Sequence, residues 1–190
     1  IEISNYEDLW NWSIDKPDEF WSSAWDHFNI IGERNFKEII SKSSDPTKTR
    51  FFPKAKINFT ENILKPRRVK NSIIFWAEDK FRRELTIDEV LDQVTKISEF
   101  LSSSGINKGD RVSGYFSNVP EAIIAALATT KIGAIWSSCS PDFGVESVVD
   151  RLKQISPKIL FTSDQVLDSG KFYDLDIKVN EIVNLIPSIQ

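Results

Sequence analysis

The sequence contains no methionine, and it has only one cysteine, Cys139, and one histidine, His27. A single cysteine excludes an internal disulfide and a cysteine-rich metal site, which fits a reducing compartment. Apolar runs are short, the longest being residues 122–128, whereas a membrane helix needs about 20 apolar residues in succession. The acidic start lacks the basic segment of a signal peptide. We therefore expect a cytoplasmic protein with no membrane partner. Because the chain does not begin with Met, we also expect it to be part of a longer protein.

Neither sign of charge dominates the chain, because it contains 24 Lys and Arg residues and 28 Asp and Glu residues, for a net charge of −4. Residues 48–70 are nevertheless basic, with eight Lys or Arg residues and one acid, Glu61. Phe51, Phe52 and Phe59 alternate with these bases, a pattern that can bind phosphates and stack nucleobases. The same pattern fits an amphipathic segment with solvated charges, which charge runs usually are. We expect no nucleic-acid partner.

Aromatic residues are concentrated near the start of the chain. Residues 15–28 are typical of a helix with Pro17 in its first turn. We predict that residues 1–65 form a helical, Trp-rich N-terminal extension packed on a main domain, residues 66–190. Four of the six tryptophans lie in the extension: Trp10, Trp12, Trp21 and Trp25.

The second part of the chain alternates between strand and helix patterns. Residues 72–77 and 82–85 predict a β-hairpin, and Thr86 with Glu89 forms a capping box for a helix that stops at Gly105. The later predicted strands are 111–117, 134–138 and 158–162, and the later predicted helices are 120–132, 145–155 and 178–186. This alternation predicts an α/β fold with a mostly parallel sheet, flanked by helices in right-handed crossovers.

Familiar catalytic motifs are missing. The S-G-K sequence at residues 169–171 is similar to the end of a phosphate-binding P-loop, but Gln165 replaces its first Gly and Phe172 replaces its hydroxyl residue. No G-x-G-x-x-G turn follows any predicted strand, which argues against a dinucleotide site. Nothing in the sequence brings His27 and Cys139 together as a base and a nucleophile. We predict no catalytic residue and no metal ligand in this chain.

One segment has an unusual composition for a loop. Residues 136–144, WSSCSPDFG, close a predicted parallel strand and lead into the next helix. Ligands of open α/β sheets bind outside the carboxyl ends of the strands, where small residues let backbone N–H groups approach an anion. Pro141 and Gly144 equally fit an ordinary turn. Composition alone leaves both interpretations open.

This segment is preceded by NVPEAIIAALATTKIGA and followed by VESVVDRLKQISPKILFTSD, and together they resemble the acetoacetyl-CoA synthetase (acetoacetate–CoA ligase) family of acyl-adenylate-forming enzymes. The resemblance extends to YEDLWNWSIDKPDEFW, FFPKAKINFTENIL and GDRVSGYFSNVPEA, and so covers the whole chain. It implies the first, incomplete part of the ligase large domain behind an N-terminal extension of acyl-CoA synthetase type. It also implies that the full enzyme converts acetoacetate, ATP and CoA to acetoacetyl-CoA, AMP and pyrophosphate, with Mg²⁺ accompanying ATP.

The resemblance further implies where CoA is contacted. In the acetyl-CoA synthetase branch, a turn contacts CoA and a second segment contacts its 3′-phosphate end. The turn aligns with Ser140, Pro141 and Asp142. The second segment aligns with Asp168, Ser169, Gly170 and Lys171. Acetyl-CoA synthetases have arginines at the places of Asp168 and Lys171. A lysine keeps one charge without the bidentate fork and the aspartate opposes it, so a weaker phosphate contact is expected.

The phosphate loop of this family, rich in Ser, Thr and Gly and ending in Lys, is absent from the 190 residues. We therefore expect the chain alone to be inactive in adenylation. Two other interpretations stay open: a ligase for acetate or propionate, and a non-catalytic module that binds CoA or a protein partner. At the position of WSSCSPDFG, acetyl-CoA synthetases have a segment similar to HSVVFGGFSPE. This difference favours acetoacetate over acetate as the substrate. The sequence predicts no oligomeric state.

Overall fold

The structure, a computed structural model, describes residues 3–34, 37–65, 71–78 and 81–190. The chain divides into two compact units, Ile1–Asn58 and Phe59–Gln190. A short helix, α3 (Phe59–Ile63), belongs to the second unit, where the Thr60 hydroxyl donates a hydrogen bond to the Leu127 carbonyl at 2.8 Å. The end of the basic stretch, residues 66–70, and the turn residues 79–80 of the predicted hairpin lie outside the described residues.

The first unit begins with two helices, α1 (Tyr6–Asp15) and α2 (Pro17–His27). Asn5 caps α1 by accepting a hydrogen bond from the Asp8 N–H at 2.9 Å. The prediction that residues 1–65 are helical is wrong for the stretch between α2 and α3. The described residues of this stretch, 28–34 and 37–58, form a short 3₁₀ turn and two antiparallel pairs of short strands. The strands are β1 (Gly32–Glu33) with β4 (Lys56–Ile57), and β2 (Ile40–Ser41) with β3 (Arg50–Phe51). The physical reason is that this stretch contains prolines and has no apolar residues at sustained helical spacing.

Three of the four tryptophans of α1 and α2 pack on other aromatic rings within the first unit. Three ring pairs have centroids about 5 Å apart: Trp12 with Phe20 at 5.3 Å, Trp21 with Phe51 at 4.9 Å, and Trp25 with Phe52 at 4.9 Å. The guanidinium of Arg34 lies 5.7 Å from the centroid of the Trp25 ring. Edge-to-face and cation–π contacts therefore hold this small unit together in place of a fully buried helix core.

After α3, the second unit continues with the predicted hairpin and its capped helix. β5 (Asn71–Trp76) pairs antiparallel with β6 (Arg82–Thr86), which leads directly into α4 (Ile87–Ser103). The capping box is confirmed, because the Thr86 N–H donates to the Glu89 carboxylate at 2.8 Å and the Glu89 N–H donates to the Thr86 hydroxyl at 3.3 Å. The Thr86 N–H and the Thr86 hydroxyl both donate to the Glu89 carboxylate, which stabilises its charged form and lowers the pKa of Glu89. Gly105 follows the helix with a φ of 80°, the left-handed conformation that ends many helices.

Three parallel strands confirm the predicted sheet. They are β7 (Arg111–Tyr115), β8 (Ile135–Cys139) and β9 (Ile159–Thr162), arranged in the order β8-β7-β9. Helix α5 (Pro120–Lys131) connects the first two strands, and α6 (Val145–Lys153) connects the last two. The chain moves from β7 to β8 in one direction across the sheet, and from β8 past β7 to β9 in the opposite direction. Right-handed crossovers therefore put α5 and α6 on opposite faces of the sheet.

Each face of the sheet has its own buried core. The first core joins α4 and α5 to the sheet, and its members include Val94, Leu101, Val112, Ile124 and Ala128. The second joins α6 and the last helix, α7 (Asp176–Leu185), and its members include Tyr115, Cys139, Val148, Leu152 and Ile182. The sheet is thus covered on both sides, as the strand and helix alternation predicts.

A second hairpin was not predicted. β10 (Gln165–Asp168) and β11 (Lys171–Asp174) are joined by a two-residue turn, Ser169 and Gly170, whose φ angles are 51° and 73°. Two successive positive φ values are typical of a type I′ turn, which matches the twist of a hairpin. The Ser-Gly pair was the one local signal for it, because the strands themselves are short and largely exposed.

Gly114, in the central strand, has no room for a side chain. A Cβ atom there would lie 2.7 Å from two ring carbons of Trp136 and 2.9 Å from Phe116. We expect Gly114→Ala to lower the free energy of unfolding by about 1–3 kcal/mol, the usual cost of overpacking. Gly144→Ala is the control, because no heavy atom lies within 4 Å of its Cβ position and its φ is −66°. Urea unfolding of both variants measures the free energy of unfolding. Equal decreases for the two variants would contradict the prediction, because the Trp136 ring would then make room for the methyl group without cost.

Candidate functional site

The candidate site lies at the carboxyl edge of the parallel sheet, in the loop between β8 and α6. The Ser140 hydroxyl donates to the Asp142 carboxylate at 2.7 Å, and the Phe143 N–H donates to the Ser140 carbonyl at 3.2 Å. Pro141 is buried while Asp142 is exposed. The loop therefore forms a hydrogen-bonded turn that leaves the Asp142 side chain exposed. It lies at the edge where open α/β sheets bind ligands.

Side chains of β7, α6 and α7 contact this loop. The Tyr115 hydroxyl lies 3.2 Å from the carbonyl oxygens of both Pro141 and Phe143. Lys178 Nζ on α7 lies 3.5 Å from the Pro141 carbonyl, and the Arg151 guanidinium lies 4.5 Å from the centroid of the Phe143 ring. Burial, and then the nearby Asp142 and Cys139, raise the pKa of Tyr115, so its hydroxyl stays a hydrogen-bond donor. Sequence reasoning missed Tyr115, because its partners lie 26 and 28 residues away.

Cys139 ends strand β8 directly before the loop and is buried. Burial raises the pKa of its thiol, which disfavours the thiolate that nucleophilic chemistry needs. His27 belongs to the other compact unit. The structure therefore adds no support for a pairing of these two residues, and the thiol is a packing element of the second core.

The second predicted segment is the tip of the β10–β11 hairpin. Asp168 and Lys171 face each other across its last pair, and Ser169 and Gly170 form the turn. The Gly170 N–H donates to the Glu78 carboxylate at 3.1 Å. The tip therefore carries one cationic side chain, Lys171, and one acidic side chain, Asp168, and its turn is bonded to a second carboxylate, that of Glu78. Glu78 had no signal in the sequence, since it lies 92 residues from its partner.

The two predicted segments are held separately. Among the described residues, no hydrogen bond joins Ser140, Pro141 or Asp142 to the hairpin tip. The connection runs through the base of the hairpin, where the Leu175 N–H donates to the Asp164 carbonyl at 2.8 Å. Helix α7 begins there, and its Lys178 reaches the Pro141 carbonyl.

In the part of the chain that the structure describes, no group of three or more His, Cys, Asp or Glu side chains is arranged to hold a metal ion. Within those same ranges, none of the helices has the length and apolarity that crossing a membrane requires.

Two family models match the chain. One, described as acetyl-coenzyme A synthetase N-terminus, covers residues 6–63, and the other, AMP-binding enzyme, covers residues 65–186. The second match covers more than half of the chain. This chain belongs to the AMP-binding enzyme family. The two matches meet between residues 63 and 65, close to the predicted boundary at residues 65 and 66.

Relatives within this family are similar over nearly the whole chain. The acetoacetyl-coenzyme A synthetase of Rhizobium meliloti is 40% identical over 95% of this chain, and that of Rattus norvegicus is 34% identical over 100% of it. The solved acetoacetyl-CoA synthetase from Streptomyces lividans superposes with a TM-score of 0.91 at 32% identity over 99% of the chain. The predicted resemblance is confirmed. The chain spans 28% and 29% of the length of these two relatives and 29% of the solved chain.

Proposed function

We propose that this chain is the N-terminal part of an AMP-forming ligase that converts acetoacetate, ATP and CoA to acetoacetyl-CoA, AMP and pyrophosphate. The observation that carries the proposal is the unbroken similarity of the whole chain to acetoacetyl-CoA synthetases, in sequence and in backbone. Mg²⁺ enters with ATP as part of the substrate. The proposed partners are these small molecules, without nucleic acid or membrane, and the proposed compartment is the cytoplasm.

Within that reaction, we propose that this chain contributes contacts to CoA. The turn of Ser140, Pro141 and Asp142 supplies one contact, at the sheet edge. The tip of the second hairpin supplies the other, to the 3′-phosphate, through Asp168, Ser169, Gly170 and Lys171. The exposed Lys171 carries the one positive charge of that turn, while the carboxylates of Asp168 and Glu78 oppose an anion. The phosphate contact is therefore weak.

Lys171→Ala tests the phosphate contact in the gene product that contains this chain. We expect KM for CoA to rise about twofold to fivefold, the upper part of the range for a single exposed charge pair. KM for dephospho-CoA, which lacks the 3′-phosphate, should stay unchanged. The rate of acetoacetate-dependent ATP–pyrophosphate exchange should also stay unchanged. Lys153→Ala, a lysine in the last turn of α6, is the control. An equal rise for CoA and dephospho-CoA would contradict a role for Lys171 at the phosphate.

A second candidate is a ligase of the same type for another short acid. It is favoured by a relative named malonamoyl-CoA synthetase from Penicillium aethiopicum, which is 33% identical over 99% of this chain. Pyrophosphate exchange with acetoacetate, malonamate, acetate and propionate as single substrates separates the candidates. Acetoacetate should have the highest kcat/KM, and a higher value for another acid would replace it as the substrate.

A further inference from the structure

We propose that Tyr115 is a positioning residue for CoA, whose buried hydroxyl holds the loop after β8 in the shape that contacts the coenzyme. The inference rests on the proposed function, because it assigns a role in CoA binding to a side chain that CoA itself does not touch. Tyr115 ends the central strand of the sheet and is fully buried. No other described tyrosine is buried.

The hydroxyl is placed to set the curvature of the loop. It lies 3.2 Å from the Pro141 carbonyl and 3.2 Å from the Phe143 carbonyl, so its single proton is shared between acceptors two residues apart. Both carbonyls must point inward to meet it. Asp142, between them, then points its side chain outward to solvent. The direction of Asp142 thus depends on a hydroxyl supplied by the neighbouring strand.

The ring of Tyr115 is held independently of its hydroxyl. It belongs to the second core, with Val148 and Leu152 of α6 and Ile182 of α7. A phenylalanine at this position keeps that packing and loses only the two hydrogen bonds. The loop keeps its other restraints, which are the Lys178 contact with Pro141, the Arg151 contact with Phe143 and the hydrogen bonds of Ser140 with Asp142 and Phe143. We therefore expect Tyr115→Phe to leave the fold intact and to loosen residues 141–143.

The test uses Tyr115→Phe in the gene product that contains this chain, with Tyr6→Phe as the control because Tyr6 is 79% exposed. We expect KM for CoA to rise about fivefold to tenfold, as the loss of one well-placed hydrogen bond commonly causes. The kcat for thioester formation should change less than twofold. Pyrophosphate exchange measured without CoA should be unchanged. KM for dephospho-CoA should rise as much as KM for CoA, unlike in Lys171→Ala.

A second measurement follows the loop directly. Amide hydrogen exchange of Asp142 and Phe143 should be faster in Tyr115→Phe than in the unmodified protein, while exchange in strand β7 stays the same. Unchanged loop exchange, or an unchanged KM for CoA, overturns the inference and leaves the proposed function standing. A parallel loss of pyrophosphate exchange also overturns it, since Tyr115 would then support the whole domain. If the unmodified gene product forms no thioester with any of the four acids, both the inference and the proposed function fall.

Discussion

In acetoacetate-dependent ATP–pyrophosphate exchange, the 190-residue chain is expected to show no activity above background. Adenylation needs hydrogen-bond donors arranged around the triphosphate and a cation at the developing charge. The sequence contains no loop rich in Ser, Thr and Gly that ends in Lys. Loss of a single preorganised donor lowers such rates by about 10²–10³-fold, so the absence of a whole loop should lower the rate by at least that factor.

Groups within the chain do not replace that loop. In the basic stretch, Lys48 pairs with Asp45 at 3.3 Å and Lys56 pairs with Glu33 at 3.1 Å. The turn of small residues at Gly170 already donates its N–H to a carboxylate. These lysines and this turn are already engaged with carboxylates, so we expect none of them to replace the missing loop.

The assay compares the chain with the gene product that contains it, at equal molar concentration and with the same acid. Exchange should depend on acetoacetate in the longer protein only. Comparable exchange in both would show that residues of this chain carry out adenylation, against the proposed division of labour.

The largest effect on stability is expected from Leu152→Ala. Leu152 lies on α6, is fully buried, and fills the second core between the sheet and α7. Its truncation removes apolar contacts and leaves a cavity, which costs about 2–5 kcal/mol. Since domains of this size are stable by about 5–15 kcal/mol, the variant should lose a large fraction of its stability.

Urea unfolding followed by circular dichroism and tryptophan fluorescence measures this loss. Leu185→Ala is the matched control, because Leu185 lies on the adjacent α7 but is 43% exposed. We expect the control to lose less than about 1 kcal/mol. Similar losses for the two variants would mean that the core between α6 and α7 does not contribute as its burial indicates.

Most of the architecture around the site could be predicted from the order of the amino acids. The parallel strands, their crossover helices, the first hairpin and the capping box at Thr86 all follow from patterns within about 20 neighbouring residues. Helical periodicity, caps and turn residues act locally, so they can be recognised before the chain folds. The similarity to acetoacetyl-CoA synthetases was likewise readable in short stretches such as WSSCSPDFG, residues 136–144.

The contacts that hold the candidate site could not be predicted in this way, because they join residues far apart in the chain. Tyr115 meets its loop across 26 residues, Lys178 meets Pro141 across 37, and Glu78 meets Gly170 across 92. The short strands of the first unit and the β10–β11 hairpin were also unforeseen, because a strand of two to four exposed residues leaves almost no periodic pattern. Such contacts depend on which elements the packed core brings together, and no local run of residues encodes that.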